Sequence, residues 1–187
     1  MSTASTARLP APMVIVLMGV SSSGKSTTGL ELAQRLGWPF RDADSFHPPA
    51  NIDKMSRGIP LEDSDRWPWL AAIAAWIDAQ LAQGHSGVVS CSALKKSYRR
   101  RLVRERTDVR LIYLQGSFEL ISERMQRRRD HFMPPSLLKN QFDVLEEPGA
   151  DENALVVSVA QPAARVAETI IAALGLSDAS QAQKAQQ

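Results

Sequence analysis

The string GVSSSGKST, from Gly19 to Thr27, spaces Gly19, Gly24, Lys25 and Ser26 as G-x-x-x-x-G-K-[ST]. Glycines in such a loop let backbone N–H groups turn inward around phosphate oxygens, and a helix opening at its end adds partial positive charge. Val20, Ser21, Ser22, Ser23 and Thr27 complete the cradle, Lys25 can reach the terminal phosphates of ATP, and the Ser26 hydroxyl can ligate Mg²⁺. A guanine-reading N-K-x-D does not occur in the sequence, so a small kinase is preferred to a switch GTPase. A kinase must also bind an acceptor and cover the phosphoryl group in transit.

The acceptor side is sought in DADSFHPPANIDKMSRGIPLEDSDRWPWL, Asp42 to Leu70, where carboxylates and cations gather around prolines expected to exclude regular structure. Asp42 and Asp44 stand two apart at the end of a short predicted strand. In extended geometry they face opposite sides, one toward the metal and one toward an acceptor hydroxyl. The plainer alternative is that they cap the next turn. Arg124, Arg127, Arg128 and Arg129 precede the helix-breaking Pro134–Pro135 pair, which suits a lid over about residues 124–140 carrying cations to the phosphoryl oxygens. Arg127 or Arg129 can equally sit on a helix surface. Lys95 and Arg99, four apart, share a predicted helix face and could hold an anionic acceptor, while Arg100, Arg101, Arg104 and Arg106 read as a solvated face.

The elements that must position these residues alternate. Met13 to Met18 is a continuous apolar run suited to a strand buried on both faces, and Lys25 to Leu36 follows as a helix stopped by Gly37 and Pro39. PFRDAD, GVVSCS, VRLIYLQ and ALVVSV are further strand candidates. Ser64 to Gln83 is a predicted helix with Trp67, Leu70, Ala74, Ile77 and Leu81 on one apolar face, and Ala163 to Leu174 is another helix. Such alternation predicts an α/β fold with a parallel sheet covered on both faces. Residues 1–12 and 177–187 are poor in apolar side chains and read as flexible tails around one kinase domain, 13–176.

Composition narrows the class further. A chain of 187 residues fits one domain, and 44% hydrophobic with 22% charged residues is an ordinary globular balance. The net charge of +2 gives no case for nucleic acid, and no apolar run approaches the ~20 residues that span a bilayer. One cysteine, Cys91, excludes an internal disulfide, and the N-terminus lacks a basic region ahead of an apolar stretch, so a cytoplasmic protein is expected.

Taken in order, GVSSSGKST, the Asp42–Leu70 segment, CSALKKSYR, YLQGSFELISERMQRR, HFMPPSLLKNQFDVLEEP and VSV resemble the small gluconate kinases, across roughly Val14 to Leu174. The most specific part joins D-A-D-x-F-H-P to K-M-x-x-G-x-P-L and D-R-x-P-W-L. The resemblance implies a three-layer P-loop kinase fold with a five-stranded parallel sheet and a lid, like shikimate and nucleoside monophosphate kinases, and a homodimer. It implies ATP-dependent phosphorylation of D-gluconate at the 6-hydroxyl to 6-phospho-D-gluconate. On motif position, Lys25, Asp44 and Arg128 would be catalytic, and Ser26 and Asp42 would hold Mg²⁺, Asp42 through water. Asp44, His47, Arg57, Lys95 and Arg99 would contact gluconate, and Arg124 the nucleotide. The alternatives are a kinase for another sugar acid or polyol, and an ATP-binding regulatory module without transfer. Three positions depart from the family pattern: Ser22 and Asp130 replace common glycines, and Asn140 a common serine. Ser22 is tolerable with negative φ.

Overall fold

The computed structural model describes residues 11–127 and 135–178. Five strands, β1 (Val14–Met18), β2 (Phe40–Asp42), β3 (Gly87–Ser90), β4 (Val109–Gln115) and β5 (Leu155–Ser158), form one parallel sheet in the order β2-β3-β1-β4-β5. The helices are α1 (Lys25–Leu36), α2 (Pro49–Ser56), α3 (Asp63–Ala82), α4 (Lys96–Val103), α5 (Phe118–Arg127), α6 (Pro135–Val144) and α7 (Ala163–Ala173). β1 is central and wholly buried, which is why its sequence is apolar at every position rather than alternating. Ile15 and Leu17 face a core shared with α1, α5, α6 and α7, whereas Val14, Val16 and Met18 face α3 and α4. The result is three layers, with seven helices among the described residues. None of them is long and apolar enough to cross a membrane.

The register decides what meets at the carboxyl edge. Leu17 and Asp42 both pair with Ser90, so the end of β2 lies level with the end of β1, where the phosphate loop begins. Ligands of open parallel sheets bind at this edge, beside the point where the chain crosses from one side of β1 to the other.

Three expectations are corrected. The prolines do not keep the segment after Asp42 irregular: Pro49 begins α2, where its fixed φ suits a first turn and its missing N–H costs nothing. β2 ends at Asp42 and a 3-10 turn, Ala43–Phe46, follows, so strand alternation does not set the directions of Asp42 and Asp44. In α3 the buried face is Trp69, Leu70, Ile73, Ala74 and Ile77, while Trp67 is 40% exposed. Trp69 turns inward because its indole N–H donates to the Ala43 carbonyl at 2.7 Å, a bond that ties α3 to the turn after β2.

Candidate active site

The loop between β1 and α1 needs glycine where it turns. Gly19 has φ 149°, and a Cβ there would lie 2.9 Å from the Leu114 carbonyl oxygen. Gly24, at φ 93°, starts α1. Ser22 has φ 63°, not the negative value that would make serine easy there, at a cost of roughly 1–2 kcal/mol. Lys25 Nζ donates to the Val20 carbonyl at 2.9 Å, so the ammonium lies back across the loop it is expected to serve. Ser26 Oγ donates to Asp42 Oδ2 at 2.6 Å. A hydroxyl and a carboxylate brought together beside a phosphate loop form an oxygen pair suited to a hard cation.

Asp42 Oδ1 accepts the N–H of Asp44, whose carboxylate is exposed in the 3-10 turn. His47 stacks on Trp69 with ring centroids 4.5 Å apart. Asn51, only 3% exposed, fixes its tautomer: Asn51 Nδ2 must donate to the Asp65 carbonyl at 2.9 Å, so the same nitrogen, 3.3 Å away, donates to His47 Nδ1. His47 Nε2–H is left as the donor. Burial holds the His47 pKa below its ordinary value, outweighing the Asp44 charge, and Arg66 adds to the lowering. Neutral His47 is thus a hydrogen-bond donor at pH 7.

The Cys91 thiol is buried just beyond β3. Burial pushes its pKa up to about 12, and Lys25, Asp44 and Arg66 all act on it electrostatically. Arg66 lies 5.9 Å from the Tyr98 ring and donates to the Leu61 carbonyl, and among the described residues no carboxylate comes within 4 Å of it. Lys95 instead pairs with Asp63 at 2.9 Å, and Asp63 also accepts from the Tyr98 hydroxyl. The Tyr98 and Lys95 hydrogen bonds hold the Asp63 carboxyl below its usual range.

Several predicted positions do not join this group. Arg99 is 1% exposed, with its guanidinium committed to Glu152 and the carbonyls of Ala93 and Leu94. Lys95, one turn earlier at the N-cap of α4, points its ammonium to Asp63 instead. Arg57 ends α2 at 61% side-chain exposure, beside Asp53 at 3.4 Å. Arg104 and Arg106, expected on a solvated face and not in the site, pair with Asp78. Arg128, Arg129, Asp130 and the rest of 128–134 within the expected lid lie outside the described residues.

On the other side of the phosphate loop a cavity of about 290 Å³ is lined by Ser22, Gly24, Thr27, Arg124, Gln161 and Pro162, among others. Arg124 donates to the Val159 carbonyl at the mouth of this cavity. Sequence reading placed Arg124 near the nucleotide but gave no role to the turn after β5. It also gave no site role to Arg66, Asn51 and Tyr98; the D-R-x-P-W-L string was the available signal for Arg66 alone.

A glycine-rich loop between a central parallel strand and a helix, with a hydroxyl–carboxylate pair beside it, defines a P-loop kinase. The shikimate kinase family model matches residues 21–174. A gluconokinase of Gluconobacter oxydans (strain 621H) is 48% identical over 147 residues, 79% of this chain and 83% of that one. The thermoresistant gluconokinase of Escherichia coli (strain K12) is 46% identical over 153 residues, 80% of this chain and 86% of that one. A crystal structure of a gluconokinase from Sinorhizobium meliloti 1021 matches with TM-score 0.77 and 47% identity, covering 87% of this chain and 93% of that one. The chain belongs to the shikimate kinase family and, within it, to the gluconokinases.

Proposed function

We propose that this protein transfers the γ-phosphoryl group of Mg-ATP in line to the 6-hydroxyl of D-gluconate, giving 6-phospho-D-gluconate and ADP. The observation that supports the reading is the hydrogen bond of 2.6 Å from Ser26, at the start of α1, to Asp42 at the carboxyl end of β2, with Asp44 bonded through its N–H to the same carboxylate. Asp44 orients the acceptor hydroxyl and takes up its proton. Lys25 offsets charge on the phosphoryl oxygens, and the reading keeps Arg128 as a second cation on its motif position. Arg66, rather than Arg99, receives the gluconate carboxylate, and His47 Nε2–H donates to a sugar hydroxyl. Lys95 lies at the rim. Ser26 and Asp42 would hold Mg²⁺, whose role when bound is to offset the charge of the phosphates. The adenine occupies the cavity beside Arg124, where a guanidinium can stack on the base. A cytoplasmic homodimer belongs to the same reading and is supported by the resemblance to the gluconate kinases.

Acceptor profiling tests the substrate. With Mg-ATP, D-gluconate should elicit ADP release at least ~100-fold above shikimate or AMP, the scale of selectivity available when a site's polar groups would otherwise go unpaired. Equal rates would refute the reading. Release with another sugar acid or polyol alone would move the substrate, and nucleotide binding without any turnover would leave a regulatory module.

Arg66→Gln should raise the gluconate KM about tenfold or more, because a charge-assisted carboxylate contact is lost. The KM for Mg-ATP should stay near wild type. An unchanged gluconate KM would return carboxylate recognition to Lys95.

A further inference from the structure

The side chain of Gln141, on α6, crosses to the phosphate loop and closes on a single residue. Its Oε1 accepts the backbone N–H of Ser21 at 2.6 Å, and its Nε2 donates to Ser21 Oγ at 2.8 Å. An amide can make this two-point clamp because it carries an acceptor and a donor side by side. The helix behind it is well anchored. Leu138, one turn earlier, is fully buried in the core, and Phe142 packs edge-on against Phe118 at 5.4 Å.

The clamped residue is the neighbour of the strained one. Ser22 holds φ 63° without being glycine. Such a conformation persists only where its surroundings over-determine it. Relaxation of Ser22 to negative φ would rotate the peptide units on either side and turn N–H groups away from the phosphates. Among the described residues, the Gln141 amide is the side chain that grips the loop immediately before this kink.

We propose that Gln141 is a positioning residue for the nucleotide: by clamping Ser21 it keeps the Ser21–Ser22 kink, and with it the inward N–H groups, in the phosphate-receiving shape. The inference rests on the reading of residues 19–27 as the phosphate site. The hydrogen bonds of the Gln141 amide go to Ser21 and not to Asp42, Asp44 or Arg66. Its loss should therefore act on ATP and spare gluconate. Glycine at position 22 would hold positive φ without strain and make the clamp less necessary.

The test measures kcat and both KM values for Gln141→Met, which preserves side-chain length without the amide, for Gln141→Ala, and for each combined with Ser22→Gly. Loss of two neutral hydrogen bonds should raise the Mg-ATP KM about tenfold while the gluconate KM stays within about twofold. Ser22→Gly should recover most of that loss in the double variant. An unchanged Mg-ATP KM overturns the proposal. So does an equal rise in both KM values, the mark of a loosened fold, and so does a double variant no better than the single. Lys25→Met in the same assay separates the two levels: a wild-type result there refutes the phosphate-site reading itself, whereas a defective Lys25→Met beside a normal Gln141→Met refutes only the clamp.

Discussion

Lys25→Met lowers gluconate-dependent ADP release by on the order of 10²-fold or more, the scale of losing one preorganised group from a phosphoryl-transfer site. The ammonium lies 2.9 Å from the Val20 carbonyl, at the loop read as the phosphate site. Methionine keeps much of the stem and its packing but brings no charge. Backbone N–H groups and the α1 N-terminus still hold the phosphates, so nucleotide affinity should fall less than turnover. Steady-state kinetics with separate variation of ATP and gluconate provide the check. Turnover within tenfold of wild type would remove Lys25 from the chemistry.

Arg99→Met destabilises the fold by about 3–5 kcal/mol, as expected when one member of a buried ion pair is removed. At roughly 2–4 °C per kcal/mol for a chain of this size, the melting temperature should drop by on the order of 10 °C. Arg99 Nε and Nη2 bond the two oxygens of Glu152 at 2.6 and 2.8 Å, and Nη1 bonds the carbonyls of Ala93 and Leu94 at 3.1 Å each. Glu152 is 8% exposed at its side chain, so without Arg99 its charge is stranded. The Ala93–Leu94 backbone continues from Ser92, whose carbonyl accepts the Gly19 N–H, so the defect should also reach the phosphate loop.

The pH dependence of this loss has a definite sign. In the native pair burial pushes the Glu152 pKa up, but the hydrogen bonds from Arg99 and Gly149 outweigh it and the net shift is downward. Stability from the pair is therefore present above the unfolded carboxyl value of about 4.3 and lost as pH falls through the lower native value. Without Arg99, burial is opposed only by the Gly149 N–H and by Lys96, so the Glu152 pKa rises from its value in the pair and the charged carboxylate is worth less to the fold above about pH 4.3 than in wild type. Thermal melts should show the largest gap between Arg99→Met and wild type near pH 7 and a smaller one near pH 4. Arg99→Met with Glu152→Met should recover much of the loss. An equal gap at both pH values would show that packing, not charge, sets the effect.

What a reader could extract from the chain divides by distance along it. The phosphate loop was legible because its physics is local: nine consecutive residues carry the turn, the cradle and the helix start. The order of strands and helices was legible for the same reason, since apolar runs and their spacing record burial. The placement of Asp42 beside Ser26 was partly legible, as the end of a strand next to the loop.

The pairing of charges was not. Arg99 and Arg66 are both arginines near helix beginnings with acids within reach, and spacing cannot distinguish them. Arg99 finds Glu152, 53 residues away, whereas the acids near Arg66 are taken by Lys54, Lys95 and Tyr98. Only the folded chain shows which of the two arginines is committed to an ion pair. The same holds for Ser22, whose positive φ depends on its surroundings, and for Gln141, which meets Ser21 across 120 residues. The sequence by itself determined the elements and the phosphate chemistry, because both follow from neighbours along the chain. The tertiary structure decided which charges cancel and which remain to act, because electrostatic pairing depends on distance in space.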